Sequence, residues 1–185
     1  MKRILILDFG SNKVPQLEAV VGQYADFQTV SFSVFHDAIL PDFKGVILSG
    51  APILLTEDDI SHYITALSWV KTTPLPVLGI CFGHQLLGIL FNAHVARMKE
   101  CRSLNEIEHF VDCPLLVHIP RVFEMQEDHC ESISIPEEFE LVANSDECVN
   151  EVMQHVSKKL FGVQFHPEVS GTHGAILIEN FIRLC

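Results

Sequence analysis

The sequence predicts an α/β fold: a mostly parallel central sheet flanked by helices in three layers, with a smaller antiparallel portion in the second half. Three observations carry this. Apolar runs at residues 3–7, 45–48 and 76–80 have the length and composition of buried strands. Stretches with helical spacing separate them, the alternation of a parallel sheet wrapped by right-handed crossovers. Beyond residue 100 the pattern changes to polar–apolar alternation, which suits antiparallel strands.

Residues 3–7 form the first strand, which empties into the turn Asp8-Phe9-Gly10-Ser11-Asn12. Residues 15–24 carry helical spacing, with Leu17, Val20 and Val21 on one side. Residues 28–35, rich in β-branched and aromatic types, read as the second strand. Residues 45–48 are the third strand, stopped by Ser49-Gly50-Ala51-Pro52, and residues 58–71 the next helix. The fourth strand, 76–80, runs directly into Cys81, and a helix over 83–91 follows. Further strands are expected at 106–111, 140–143, 147–153 and 161–165, before a closing helix at 175–184. No repeat, low-complexity tract or linker interrupts residues 1–185, so they are expected to form one domain.

Composition excludes several classes. Apolar residues at 48% and charged residues at 19% describe a globular chain. A net charge of −12 repels phosphate backbones and argues against nucleic-acid binding. No segment has the roughly 18 consecutive apolar residues of a membrane helix. Asp8 cuts the first apolar run too short for a signal peptide. The six cysteines include no C-x-x-C pair, and a chain with a full core needs no disulfide staples, so a cytoplasmic setting is expected. His109 and Cys113 are spaced like metal ligands but lack a second pair, and no metal or cofactor is expected. Neither a phosphate loop nor a dinucleotide motif is present.

Two segments carry chemistry. Gly79-Ile80-Cys81-Phe82-Gly83 has the G-x-C-x-G form of a nucleophile elbow, a sharp strand-to-helix turn that lifts the side chain clear of the sheet. The helix dipole behind it favours thiolate. A free cysteine is most often a small core residue; the strand before this one and the glycines around it favour the nucleophile. His84, next along, reads as a packing residue. In Gly162-Val163-Gln164-Phe165-His166-Pro167-Glu168, histidine and glutamate stand two apart beyond an apolar strand. Extended backbone would turn both to one side, as a base and its orienting carboxylate require.

Together these segments resemble the class I glutamine amidotransferases, and most of all the amidotransferase part of GMP synthase. Residues 4–11, 46–52 and 169–181 continue the likeness over nearly the whole chain. The resemblance implies a flavodoxin-like fold of that family and glutamine as substrate. It implies Cys81 as nucleophile, His166 as proton shuttle and Glu168 as its orienting partner, working through a γ-glutamyl thioester. It further implies an oxyanion hole from the Phe82 N–H and the Gly50-Ala51 loop, with Gln85 near the substrate. Ammonia would pass to a separate ATP-dependent synthetase, since no activating domain fits in the remaining residues. A stand-alone γ-glutamyl hydrolase on the same fold is the alternative, and a non-catalytic binding protein a third.

Three departures from the family bear on this. Ala51 stands where a second glycine is usual, which matters only if that residue must take a left-handed φ. Asn92-Ala93 replaces a glycine pair, and Asn is expected to serve as a left-handed helix stop. Residues 125–130 differ from the segment that in relatives lies near bound glutamine.

Overall fold

The computed structural model describes residues 2–185. Fifteen strands and α-helices follow in order: β1 Arg3–Asp8, α1 Val14–Val21, β2 Asp26–Ser31, β3 Gly45–Leu48, α2 Ser61–Ala66, β4 Val77–Ile80, α3 Phe82–Leu90 and β5 Val95–Cys101. Then come β6 Leu104–His109, β7 Val122–Gln126, β8 His129–Ile133, β9 Phe139–Asn144, β10 Val152–His155, β11 Leu160–Val163 and α4 Gly171–Leu184. Nine strands form one sheet in the order β2-β1-β3-β4-β11-β10-β9-β6-β7, and β5 pairs with β8 separately. The strands from β2 to β11 are mutually parallel. From β11 outward to β7 every pairing is antiparallel.

Period-two alternation builds the layers. On β1, Ile4 and Ile6 enter one core with Leu17, Val21, Leu177 and Phe181, under α1 and α4. Leu5 and Leu7 enter a second core with Leu86 and Leu87 of α3 on the opposite face. Being covered on both faces explains why β1, β3 and β4 read as unbroken apolar runs. The chain leaves β1 first for β2 on one side and then for β3 on the other. That reversal opens a crevice at the carboxyl ends of the parallel strands. Asp8, Leu48, Ile80 and Val163 end their strands there.

Several boundaries move from their sequence positions. The strand expected at 28–35 is β2, ending at Ser31, with a 3₁₀ turn over Phe32–Val34. The helix expected over 58–71 starts at Ser61 and tightens to 3₁₀ at Ser68–Lys71. The strand expected at 147–153 is β10, displaced because Ser145 holds residues 145–151 in a loop, bonding the backbone N–H of Cys148 and the carboxylate of Glu151. Asn92 takes φ 65°, and the amides of Asn92 and Ala93 bond back to Ile89 and Gly88. That is a left-handed stop without glycine. Among the described residues no helix is long and apolar enough to cross a membrane.

Candidate active site

Cys81 follows β4 directly and caps α3 with φ 50° and ψ −106°, a strained conformation for a residue with a side chain. The turn closes only because its flanking residues lack Cβ atoms. A Cβ on Gly79 would lie 2.5 Å from the Gly83 carbonyl oxygen, and one on Gly83 would lie 2.3 Å from that of Leu48. The Cys81 N–H donates to Val163 O at 2.9 Å and the Gly83 N–H to Ser49 O at 3.1 Å, which ties the turn to β11 and β3. Phe82, the first residue of α3, has no intrahelical partner for its N–H.

His166 sits beyond β11, with Nδ1 2.7 Å from Glu168 Oε1, and both side chains are almost wholly buried. Strand alternation does not bring them together. β11 stops at Val163, and Pro167–Val169 is a 3₁₀ turn that folds the carboxylate back onto the ring. The turn is anchored from both sides. The Ser170 hydroxyl donates to His166 O and accepts from Gln126 N, while His166 N donates to Gln126 O. Burial alone would lower the pKa of His166. The hydrogen bond and charge of Cys81, followed by those of Glu168, outweigh it and raise the imidazole to about 10.

Gly50 lies against both groups: a Cβ there would stand 3.0 Å from His166 Cε1 and 3.7 Å from Cys81 Cβ. Its carbonyl accepts the Ser49 hydroxyl at 2.9 Å, so the trans peptide turns the Ala51 N–H the opposite way. Neither Gly50 nor Ala51 has a positive φ, so the alanine imposes no strain on the loop. A cavity of about 570 Å³ is lined by Ala51, Cys81, Gln85, Asp128, Glu131 and His166, among others. Gln85 Nε2 donates to Glu131 O at 3.0 Å and Gln164 Oε1 at 3.1 Å.

The structure thus brings Cys81, His166, Ala51 and Gln85 to the wall of one crevice, with Gly50 and Glu168 against His166 and Phe82 next to Cys81 in the chain. Sequence reasoning missed Gln164, whose Nε2 donates to Cys81 Sγ at 3.7 Å. It stands two residues before His166, and the alternation applied to His166 and Glu168 would have reached it. The divergent segment 125–130 also belongs here. The Asp128 carbonyl lies 3.9 Å from Cys81 Sγ, and its carboxylate pairs with Lys13 at 2.5 Å. Burial would raise the Asp128 pKa; the Lys13 hydrogen bond and charge prevail and lower it. His84 is fully buried, and burial, with the nearby His129, pushes it down to about 3, so it is a neutral packing residue.

Comparison with known proteins gives the family and the fold. Residues 5–184 match the family model of class I glutamine amidotransferases. A GMP synthase [glutamine-hydrolyzing] subunit of Methanococcus maripaludis is 34% identical, across 98% of this chain and 96% of that protein. Its counterpart in Methanocaldococcus jannaschii is 36% identical across 78% of this chain and 75% of its own. In fold, a Thermoplasma acidophilum structure provisionally assigned as a GMP synthase subunit superposes with TM-score 0.91 at 24% identity, covering 100% of this chain and 94% of that one. A Thermotoga maritima glutamine amidotransferase superposes at TM-score 0.79 and 19% identity, covering 99% and 83%. With its family model spanning all but a few terminal residues, the chain belongs to the class I glutamine amidotransferases.

Proposed function

We propose that this glutamine-hydrolysing chain works through Cys81, His166 and Glu168, and delivers the ammonia to a separate ATP-dependent synthetase that converts XMP to GMP. The observation that carries the reading is the His166–Glu168 contact of 2.7 Å, made in the crevice that Cys81 also lines. The Cys81 thiolate attacks the side-chain amide carbon of glutamine, and negative charge develops on the amide oxygen. The N–H groups of Phe82 and Ala51 are the donors for that oxygen; losing one such donor typically costs on the order of 10²–10³ in rate. The His166 imidazolium gives its proton to the departing nitrogen, so ammonia leaves and a γ-glutamyl thioester remains. His166, now neutral, takes a proton from water, whose attack releases glutamate and restores the thiolate. Glu168 holds the ring in one tautomer and orientation throughout.

The acceptor reaction rests on the GMP synthase relatives. The test is glutamate release from glutamine by wild type and Cys81→Ala, with and without the XMP-aminating synthetase from the same source. Release that disappears in the variant and is stimulated by the synthetase supports both parts. Release that ignores the synthetase, together with cleavage of γ-glutamyl peptides, moves the assignment to a stand-alone hydrolase.

A further inference from the structure

Glu131, on β8, is only 2% exposed, and its carboxylate is committed to one loop. It accepts the Leu55 N–H at 2.7 Å, the Thr56 N–H at 3.1 Å and the Thr56 hydroxyl. Its backbone carbonyl accepts Gln85 Nε2 at 3.0 Å. Desolvating a carboxylate is costly unless its oxygens are hydrogen-bonded. The hydrogen bonds that compensate it come from the loop it holds.

That loop, residues 50–58, contains no regular helix or strand. Its internal bonds are local: Glu57 N and Asp58 N donate to Leu54 O, and Leu54 N to the Asp58 carboxylate. Its polar ties to the antiparallel side of the molecule are the Glu131 clamp and an exposed Arg97–Glu57 ion pair, which solvent weakens; Leu55 is also buried in the apolar cluster that contains Ile133. The loop begins at Gly50-Ala51, against Cys81 and His166. We propose that Glu131 is a positioning residue: by clamping Leu55 and Thr56 it fixes the Ala51 N–H relative to Cys81, where the tetrahedral oxyanion forms. This rests on the reading of the site given above. It makes the oxyanion loop depend on β8, a strand outside the parallel sheet that bears the nucleophile.

The test compares Glu131→Gln and Glu131→Leu with wild type in four readouts: kcat and KM for glutamine, hydrogen exchange of residues 50–58, and alkylation of Cys81 by iodoacetamide. In Glu131→Leu, kcat is expected to fall about 100-fold, the scale of one misplaced oxyanion donor, with KM changed less than about threefold. Exchange over 50–58 rises at least about tenfold once the clamped amides open. Cys81 alkylation stays within about twofold, because the elbow is built by other contacts. Glu131→Gln keeps one acceptor oxygen and lies between; it carries the test if the leucine variant does not fold. Wild-type kcat in both variants overturns the proposal. So does a loss of kcat accompanied by an equal change in alkylation and by exchange rising across the whole chain. A wild type without glutaminase activity would overturn the reading of the site instead. Exchange over 50–58 would still decide the clamp: a rise supports it and no change overturns it.

Discussion

Gly83→Ala isolates the steric demand of the elbow. Gly83 lies in helix α3 at negative φ, so alanine should gain about 1 kcal/mol of helix propensity there. The added Cβ would lie 2.3 Å from the carbonyl oxygen of Leu48, 2.7 Å from its Cβ and 2.8 Å from its carbonyl carbon. These atoms belong to β3, held between β1 and β4, so the helix start must move by about 1 Å to regain ordinary contact. Overpacking of this kind costs about 1–3 kcal/mol, and backbone against backbone places it at the upper end. Straining the Gly83 N–H bond to Ser49 adds about 1 kcal/mol. The overlap outweighs propensity, leaving a net loss of about 2–3 kcal/mol. Because the same turn carries Cys81 and Phe82, kcat should fall about 100-fold, the usual consequence of such a displacement. Gly88→Ala is the matched control, with the same helix and the same propensity gain. Its Cβ meets Ile133 Cδ1 at 2.2 Å, the free end of a side chain that can rotate away. That variant should stay within about 1 kcal/mol of wild type and keep its kcat. Urea melts and glutamate release decide. Equal stability and activity of the two variants would refute the close-approach argument.

Three further outcomes are expected. Ala51→Gly should give no gain in kcat and a loss of about 0.4–1 kcal/mol in urea melts, since Ala51 is unstrained and glycine only loosens the unfolded chain; a faster enzyme would mean the loop does need glycine. In Cys81→Ala the ¹³Cε1 titration of His166 should move down from about 10, because burial is then opposed by Glu168 alone. His166 has a folded pKa above its unfolded one, so its stabilisation is complete below about pH 6.5 and lost as pH rises through about 10; the stability gap between wild type and Cys81→Ala should therefore narrow over that window, and an unmoved midpoint would contradict the pairing. Burial and the charge of Glu127 raise Glu151 well above its usual range, so the native state loses stability as pH climbs above about 4.5. Glu151→Gln keeps an acceptor for the Ser145 hydroxyl, now 2.6 Å from Oε1, and should match wild type at pH 4 but exceed it in urea melts at pH 8.

What the sequence revealed and what it hid have a common cause. β1, β3 and β4 are buried on both faces, so their residues announce themselves as apolar runs. The elbow is legible because a turn this tight tolerates few residue types, and Gly79 and Gly83 stand where backbone meets backbone. β5, β7 and β8 were not legible. In β5, Val95–Cys101, only Cys101 is fully buried, and Val122–Gln126 alternates over just five residues. Glu131 looks like a solvated strand residue until its loop partners, 75 and 76 positions earlier in the chain, are in place. The helix expected at 175 begins at Gly171, where glycines at 171 and 174 weaken the local signal. Gly174 is needed there because a Cβ would overlap the Pro167 carbonyl of the turn that carries Glu168. The two-residue spacing predicts the His166–Glu168 pairing, but a 3₁₀ turn makes it, set by Pro167.

The central claim is that Cys81 forms a covalent γ-glutamyl intermediate. The most direct measurement is an acid quench of the enzyme turning over radiolabelled glutamine, followed by peptide mapping of protein-bound label. Hydroxylamine-labile label is expected on the peptide containing Cys81, accumulating when deacylation is the slower step, with none in Cys81→Ala. Label on another residue, or glutamate release that survives in Cys81→Ala, would contradict it.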